Sequence, residues 1–413
     1  MIKIILIIAL FVLNQIYAQN NDNEEHINSL TCELNTLQKQ GYINGFSVAI
    51  VNRDAVLYKK GFGYADVSKQ KKYTTNTIQN IASVSKTLIG IALMKAQEQG
   101  KLNLDDPINM HLPFSIINPH YPKVPITIRH LATHTSTILD TKYYDKSYIL
   151  KNNSDFGKGI LKKQYRIFND PDEKMTISDF VKKILVKDQE WYRKRNYIKN
   201  IPGAIFKYSN VGATLAAYII ECTTGIPYDE YTKTYIIKPL GMDASGWSFD
   251  TIEMDNHSVL YASSIDSLPK YSLITYPDGG LLTDTNDFGK YLIELIKGYY
   301  GAGTLLDKSS YTELFKEQLS SENLPNRNAK NPYNDEYNSG IFMGITPAGY
   351  IGHTGSDPGT GTYMFFNPKS GIGKVLTVNT SINTKEDYRQ FKSIINAIEK
   401  YEELIKQSKI DMQ

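Results

Sequence analysis

Ile81-Ala82-Ser83-Val84-Ser85-Lys86-Thr87-Leu88-Ile89-Gly90-Ile91-Ala92-Leu93 places a serine just ahead of an apolar run. Residues 83 to 98 read as a helix. On it Ser83 and Lys86 lie three apart, on one face and one turn from each other. A hydroxyl at a helix N-terminus meets free backbone N–H groups and the positive end of the dipole. A lysine one turn on, held among apolar residues, can lose its proton near neutral pH and activate that hydroxyl. The same spacing occurs at Ser68 to Lys71 and at Ser267 to Lys270. The first lies in a polar run and the second is interrupted by Pro269, so both read as loops. The spacing alone is weak; the apolar setting singles out Ser83.

Working outward, residues 24 to 40 carry Ile27, Leu30, Leu34 and Leu37 at helical spacing and stop at Gly41. Strand-like runs at 46–52 and 55–61 follow, joined by Arg53-Asp54. Strand patterns return only near the far end, at 349–353, 361–367 and 374–379. A last helix is expected over 385–406, with Tyr388, Phe391, Ile395, Ile398 and Leu404 on one face. The stretch 103–290 is mostly helical pattern broken by Pro and Gly. The expected fold is α/β: an antiparallel sheet flanked by helices from both chain ends, with an inserted, mostly helical domain. The expected sheet domain takes residues 19–112 and 300–413, and the insert 113–299.

Two further stretches carry chemistry. Pro202-Gly203-Ala204-Ile205-Phe206-Lys207-Tyr208-Ser209-Asn210 leaves a loop before a helix. A phenol at Tyr208 could shuttle a proton, and the Asn210 amide could hold a substrate carbonyl; a plain surface turn fits the same residues. His353-Thr354-Gly355-Ser356 closes a strand-like run. Gly355 lets the backbone approach a ligand closely, and the Ser356 N–H could complete an oxyanion hole with that of Ser83. A packed, hydrogen-bonded core histidine is the plain alternative for His353.

In chain order, Ser83 to Lys86, Tyr208-Ser209-Asn210 and His353-Thr354-Gly355 resemble the three motifs of the serine β-lactamase and penicillin-binding protein superfamily. Thr127-Ile128-Arg129-His130-Leu131-Ala132-Thr133-His134-Thr135-Ser136 is similar to its TIRHLLTHTSG segment. Pro239-Leu240-Gly241-Met242 and Asp278-Gly279-Gly280-Leu281 are similar to its PLGM and GGL stretches. The resemblance runs from about residue 40 to 380 and points to the class C-like branch, with its β-lactamases, D-alanyl-D-alanine carboxypeptidases, D-amino acid peptidases and esterases. It implies a cleft between sheet and insert, and an acyl–serine mechanism without metal or cofactor. Ser83 is then the nucleophile, Lys86 and Tyr208 share the proton work, and Asn210 orients the substrate. His353 tunes Tyr208 or binds a polar substrate group, while Gly355 and Ser356 line the oxyanion site.

Two departures qualify the resemblance. Class C β-lactamases usually carry Lys-Thr-Gly where His353 stands; His-Thr-Gly looks more like the carboxypeptidase and esterase members. A mostly neutral histidine grips a carboxylate less than lysine does, so any β-lactam reaction is expected to gain as pH falls toward about 6. The usual glycine after the HTS triplet is Thr137, so that turn is expected to differ. The implied substrates are small esters, amides or peptidoglycan-type peptides. β-Lactamase activity is one alternative, and a non-catalytic penicillin-binding or sensor domain is another.

The 413 residues are 41 % hydrophobic and 22 % charged, which excludes disorder, collagen and coiled coil. With 46 basic and 43 acidic residues, no nucleic-acid partner is expected. Met1-Ile2-Lys3, an apolar run from Ile4 to Leu13 and Ala18 read as a signal peptide over 1–18, so the mature chain is expected to be periplasmic or secreted. No integral membrane segment is expected after its removal. Cys32 and Cys222 read as two buried free thiols. His130 and His134 stand four apart, as zinc ligands can, but lack the H-E-x-x-H glutamate, and no metal is expected. Residues 141–200 hold 12 Lys and 3 Arg against 6 Asp and 2 Glu, with Tyr143, Tyr144, Tyr148, Trp191 and Tyr192 interleaved. This reads as a solvated flap, or as a lid favouring anionic substrates.

Overall fold

The computed structural model describes residues 24–152, 167–325, 330–331 and 334–410. The expected signal peptide lies outside the described residues. Nine α-helices are described: α1 (24–38), α2 (Lys86–Glu98), α3 (Ile128–Ala132), α4 (Ile177–Leu185), α5 (Asn210–Thr224), α6 (Tyr228–Thr232), α7 (Thr285–Tyr299), α8 (Lys308–Phe315) and α9 (Lys385–Ile410). The first strands are β1 (Gly45–Val51), β2 (Val56–Asp66), β3 (Lys71–Lys72) and β4 (Gln79–Asn80). The middle of the chain adds β5 (Tyr148–Leu150), β6 (Tyr271–Leu273) and β7 (Leu282–Thr283). The last are β8 (Asn338–Ser339), β9 (Gly344–Ile345), β10 (Ile351–Asp357), β11 (Thr360–Phe366) and β12 (Gly373–Val378).

The chain ends build one antiparallel sheet in the order β3-β2-β1-β12-β11-β10-β9-β8. Its seam pairs β1 with β12, from Phe46 opposite Val378 to Val51 opposite Gly373. All seven residues of β1 are buried, the polar Ser47 among them. Val48 and Ile50 pack with Leu30 and Leu34 of α1 and Ile394 and Ile398 of α9. Ala49 and Val51 join the larger core around α2, α5 and α7 on the other face. One charged group is locked into this scaffold. Lys374 of β12, 1 % exposed, pairs with Glu399 at 2.8 Å and Glu402 at 2.9 Å on α9. At the β1–β2 turn the Asn52 side chain accepts from the amides of Asp54 and Ala55.

The middle of the chain is less helical than expected. Five prolines between Pro107 and Pro125 remove backbone donors and forbid a continued helix there. Short helices, 3₁₀ turns and the two-stranded pairs β4–β7 and β5–β6 take its place. Within this stretch α7 packs directly on the sheet, where a Cβ added to Gly373 would meet Leu292 at 2.7 Å. Cys32 corrects another expectation: it lies exposed on α1, opposite Leu30 and Leu34, while Cys222 is half-buried, and both are free thiols. No described helix is long and apolar enough to cross a membrane.

Helix α2 is seated through Gly90, where an added Cβ would lie 2.3 Å from the Ile341 carbonyl oxygen. Gly90→Ala is therefore expected to lower stability by about 1–3 kcal/mol despite alanine's better helix propensity. Urea denaturation followed by circular dichroism measures it; a stabilised variant would contradict this packing.

Candidate active site

Ser83 does not open the α-helix itself. Residues Ala82–Ser85 form one 3₁₀ turn that runs directly into α2. Ala82 has φ +47°, a region costing a residue with a Cβ on the order of 1 kcal/mol. Surrounding bonds hold the turn there. Ile81 N–H donates to the Leu281 carbonyl at 3.0 Å, and Leu281 N–H donates to Ser85 Oγ at 3.1 Å. Lys86 is fully buried, and its Nζ donates to Ser83 Oγ at 3.0 Å and to the Asp278 carbonyl at 2.6 Å. Burial lowers its pKa, against the opposing fields of Asp278, Asp140 and Asp357. In the neutral amine the serine contact reverses, with the hydroxyl donating to the nitrogen lone pair.

The His353-Thr354-Gly355-Ser356 motif lies inside β10 rather than at its end, because pairing with β11 continues to Asp357 opposite Thr360. His353, Gly355 and Asp357 share one face of the strand. A Cβ on Gly355 would lie 2.5 Å from the Ile81 carbonyl and 3.2 Å from Ser83 N, so only glycine lets the strand press on the serine turn. Thr354 N–H points away from β11 and donates to Asp335 Oδ2 at 2.8 Å. The Ser356 N–H, two residues on, points the same way. There β10 has left β9, which pairs only with Ile351 and Gly352. The Ser83 amide begins the 3₁₀ turn and has no acceptor within it. Both amides thus border the Gly355 contact. His353 is buried and directs Nδ1–H to the Thr354 carbonyl, leaving the Nε2 lone pair. Burial lowers its pKa although Asp335 Oδ2 is 3.9 Å away.

Tyr208 closes the group. Lys86 Nζ stands 5.1 Å from the centre of its ring, and the His353 ring is 6.1 Å away. The phenol oxygen is buried without a well-formed hydrogen bond, although the Ser83 hydroxyl is near enough to lower its pKa. Desolvation outweighs that effect and raises the pKa well above 10, so Tyr208 holds its proton. Ser209 caps α5 by accepting from Gly212 N–H at 2.9 Å. Asn210, first residue of α5, donates from Nδ2 to Asp140 Oδ2 at 2.9 Å. Asp140 also takes the amides of Asn210 and Val211, so one carboxylate pins the helix start.

The two histidines of the 127–136 segment do separate structural jobs. His130 forms a capping box with Thr127, and His134 Nδ1 accepts from Ser209 N–H at 3.2 Å, its ring 4.4 Å from that of Tyr208. Thr137 overturns the expectation of a different turn: with φ +73° it occupies the left-handed region a glycine would take. Its Oγ1 accepts from Asn118 Nδ2 at 3.0 Å.

Residues not singled out from the sequence complete the surroundings. Asp278 is buried; Oδ1 accepts from Tyr144 Oη at 2.9 Å and Oδ2 from Thr214 Oγ1 at 2.8 Å. Asp357 Oδ1 accepts from Tyr148 Oη at 2.6 Å. Burial pushes Asp278 up to about 6 and Asp357 up to about 7. The basic segment therefore meets the cleft with tyrosines. Two of its lysines, Lys146 and Lys183, pair with Glu173 and Glu190 of the same segment, and part of the segment lies outside the described residues. Asp278 stood inside the quoted Asp278-Gly279-Gly280-Leu281 run, and Asp357 two residues beyond Gly355, so strand alternation was the available signal.

An antiparallel sheet from both chain ends, pressed through a glycine onto a Ser-x-x-Lys turn, defines a β-lactamase/transpeptidase-type fold. Residues 31–397 match the Beta-lactamase family, and the chain belongs to it. It is 26 % identical over 87 % of its length to protein flp of Staphylococcus aureus, of which it spans 64 %. Among solved structures, the octameric penicillin-binding protein homologue from Pyrococcus abyssi matches with a TM-score of 0.68 and 24 % identity, covering 86 % of this chain and 74 % of that one. D-amino acid amidase from Ochrobactrum anthropi SV3 matches with a TM-score of 0.63 and 19 % identity, covering 90 % of this chain and 99 % of that one. At these identities the two structures show the fold.

Gly355→Ala tests the strand–turn contact. Separating the two backbones is expected to slow labelling of Ser83 by a fluorophosphonate about 100-fold. Intact-mass kinetics reads this directly, and unchanged labelling would contradict the packing role of the glycine.

Proposed function

We propose that this chain is a serine hydrolase that cleaves small esters or amides through an acyl-enzyme on Ser83. The observation that carries the reading is the buried Lys86 amine in contact with Ser83 Oγ, its proton affinity lowered by desolvation. Neutral Lys86 takes the hydroxyl proton as Oγ bonds to the substrate carbonyl carbon. The oxyanion rests on the Ser83 and Ser356 amides. Tyr208 gives its proton to the leaving group as the carbon–leaving-group bond breaks, and regains one from Lys86. Water then attacks the acyl-enzyme, with Lys86 again the base. Asn210 orients the substrate, and Nε2 of His353 accepts from a polar substrate group or from Tyr208.

His353 favours ester, amide or D-alanyl peptide substrates over β-lactams. Its charge is held below pH 6.5 by burial, so the cleft offers no fixed cation there for a carboxylate. The amidase among the structural neighbours agrees with amide cleavage. A non-catalytic penicillin-binding role is the second reading, and the apolar run from Ile4 to Leu13 supports export to the periplasm or beyond.

Ser83→Ala is expected to abolish turnover and the fluorophosphonate adduct, while Ser68→Ala and Ser267→Ala keep both. An adduct on any other serine, mapped by peptide mass, overturns the assignment. Lys86→Ala and Tyr208→Phe should each lower kcat about 10²–10⁴-fold. With Lys86 as base, kcat/KM for p-nitrophenyl esters rises with pH along a limb lying below the ordinary lysine value of 10.5. A stable penicillin adduct without turnover of any ester or amide would favour the binding role.

Short-chain p-nitrophenyl esters should be turned over faster than nitrocefin. Burial lowers the His353 pKa, so any gain in the β-lactam reaction as pH falls toward 6 is expected to be smaller than an ordinary histidine would give. Efficient nitrocefin hydrolysis, flat or rising above pH 7, would move the reading to a β-lactamase.

A further inference from the structure

We infer that Asp357 is a specificity-determining residue that receives a cationic group on the acyl half of the substrate, so that preferred substrates are amides and esters of amino acids or peptides with a free α-ammonium. This rests on the serine-hydrolase reading. The argument starts from β10. His353, Gly355 and Asp357 lie on one face at intervals of about 6.6–6.8 Å. Ser83 sits against Gly355, so the two other side chains flank it on opposite sides. Tyr208 stands at the His353 end, ring to ring at 6.1 Å. A leaving group protonated by Tyr208 departs at that end. The acyl half then extends toward Asp357, a half-buried residue.

The chemistry at that end suits a cation. Among the described residues neither Asp357 nor Asp278 makes an ion pair. Asp357 Oδ1 is taken by Tyr148, while Oδ2 faces the backbone of Gly279, where an added Cβ would lie 3.0 Å away. Carboxylates in a buried setting are costly, and an arriving ammonium offsets that cost. Aromatic rings form the surrounding wall: Tyr148 lies 6.0 Å from Tyr144, 6.4 Å from Phe168 and 5.8 Å from Tyr271. Rings of this kind exclude water and attract cations. The raised proton affinity of Asp357, pushed up to about 7 chiefly by burial, fits a carboxylate awaiting a positive partner.

The test compares alanine p-nitroanilide with its N-acetyl and lactoyl analogues, in both enantiomers, at pH 7.5. The free-amine substrate should exceed the better analogue in kcat/KM by about 10- to 100-fold, as a charge-assisted hydrogen bond would give. In Asp357→Asn that ratio should fall toward one, with a thermal melt confirming the fold. A wild-type ratio near one, which needs no variant to measure, overturns the proposal; so does an unchanged ratio in Asp357→Asn. p-Nitrophenyl acetate separates the two claims. Ser83-dependent turnover of it alongside a ratio near one overturns only the role of Asp357. Absence of Ser83-dependent turnover on every substrate overturns the hydrolase reading beneath it.

Discussion

An amine kept out of water is the constraint around which this molecule is arranged. Lys86 is fully buried at the junction of the 3₁₀ turn and α2. Burial there disfavours the charged ammonium and lowers its pKa, against the opposing fields of three aspartates. Its fixed partners come from distant parts of the chain: the Ser83 hydroxyl beside it and the carbonyl of Asp278, 192 residues on. The apolar body of α2, needed to bury the lysine stem, also anchors the helical layer to the sheet through Gly90. Stability and chemical poise therefore draw on the same contacts.

Electrostatics inside the cleft run against those of the whole chain. The protein carries a formal charge of +3, yet Asp140, Asp278 and Asp357 all act on Lys86. Phenols from the flap hydrogen-bond two of these carboxylates. Composition reports the solvated surface, where lysines pair outward or face water. Which carboxylates are turned inward is decided by strand alternation and by glycines that let backbones touch.

The parts legible in the sequence were those with a local signature. The apolar run after Ser83 announced the buried lysine, and the run 46–52 announced a strand. The signal at β10 stopped at His353, since Thr354-Gly355-Ser356-Asp357 has no apolar alternation; pairing with β11 carries the strand onward. The reach of helix into 103–290 was overread, because apolar spacing there serves short turns broken by proline. Asp140 had no local sign at all: its role exists only because the fold brings it to the start of α5. Thr137 stood out as a departure, but backbone geometry rather than residue type was retained there.

The seam between β1 and β12 has a consequence in time. The two halves of the candidate site, Ser83 and Gly355, are about 270 residues apart. At roughly 5–20 residues per second, a ribosome needs on the order of 15–50 s to travel between them. Until the late strands exist, the turn at Ser83 has no strand to press against and β1 lacks its partner. The nascent chain thus carries Ser83 and Lys86 before the strand that holds their turn exists. Ordering the sheet from both ends makes the candidate site one of the last parts of the molecule to take shape.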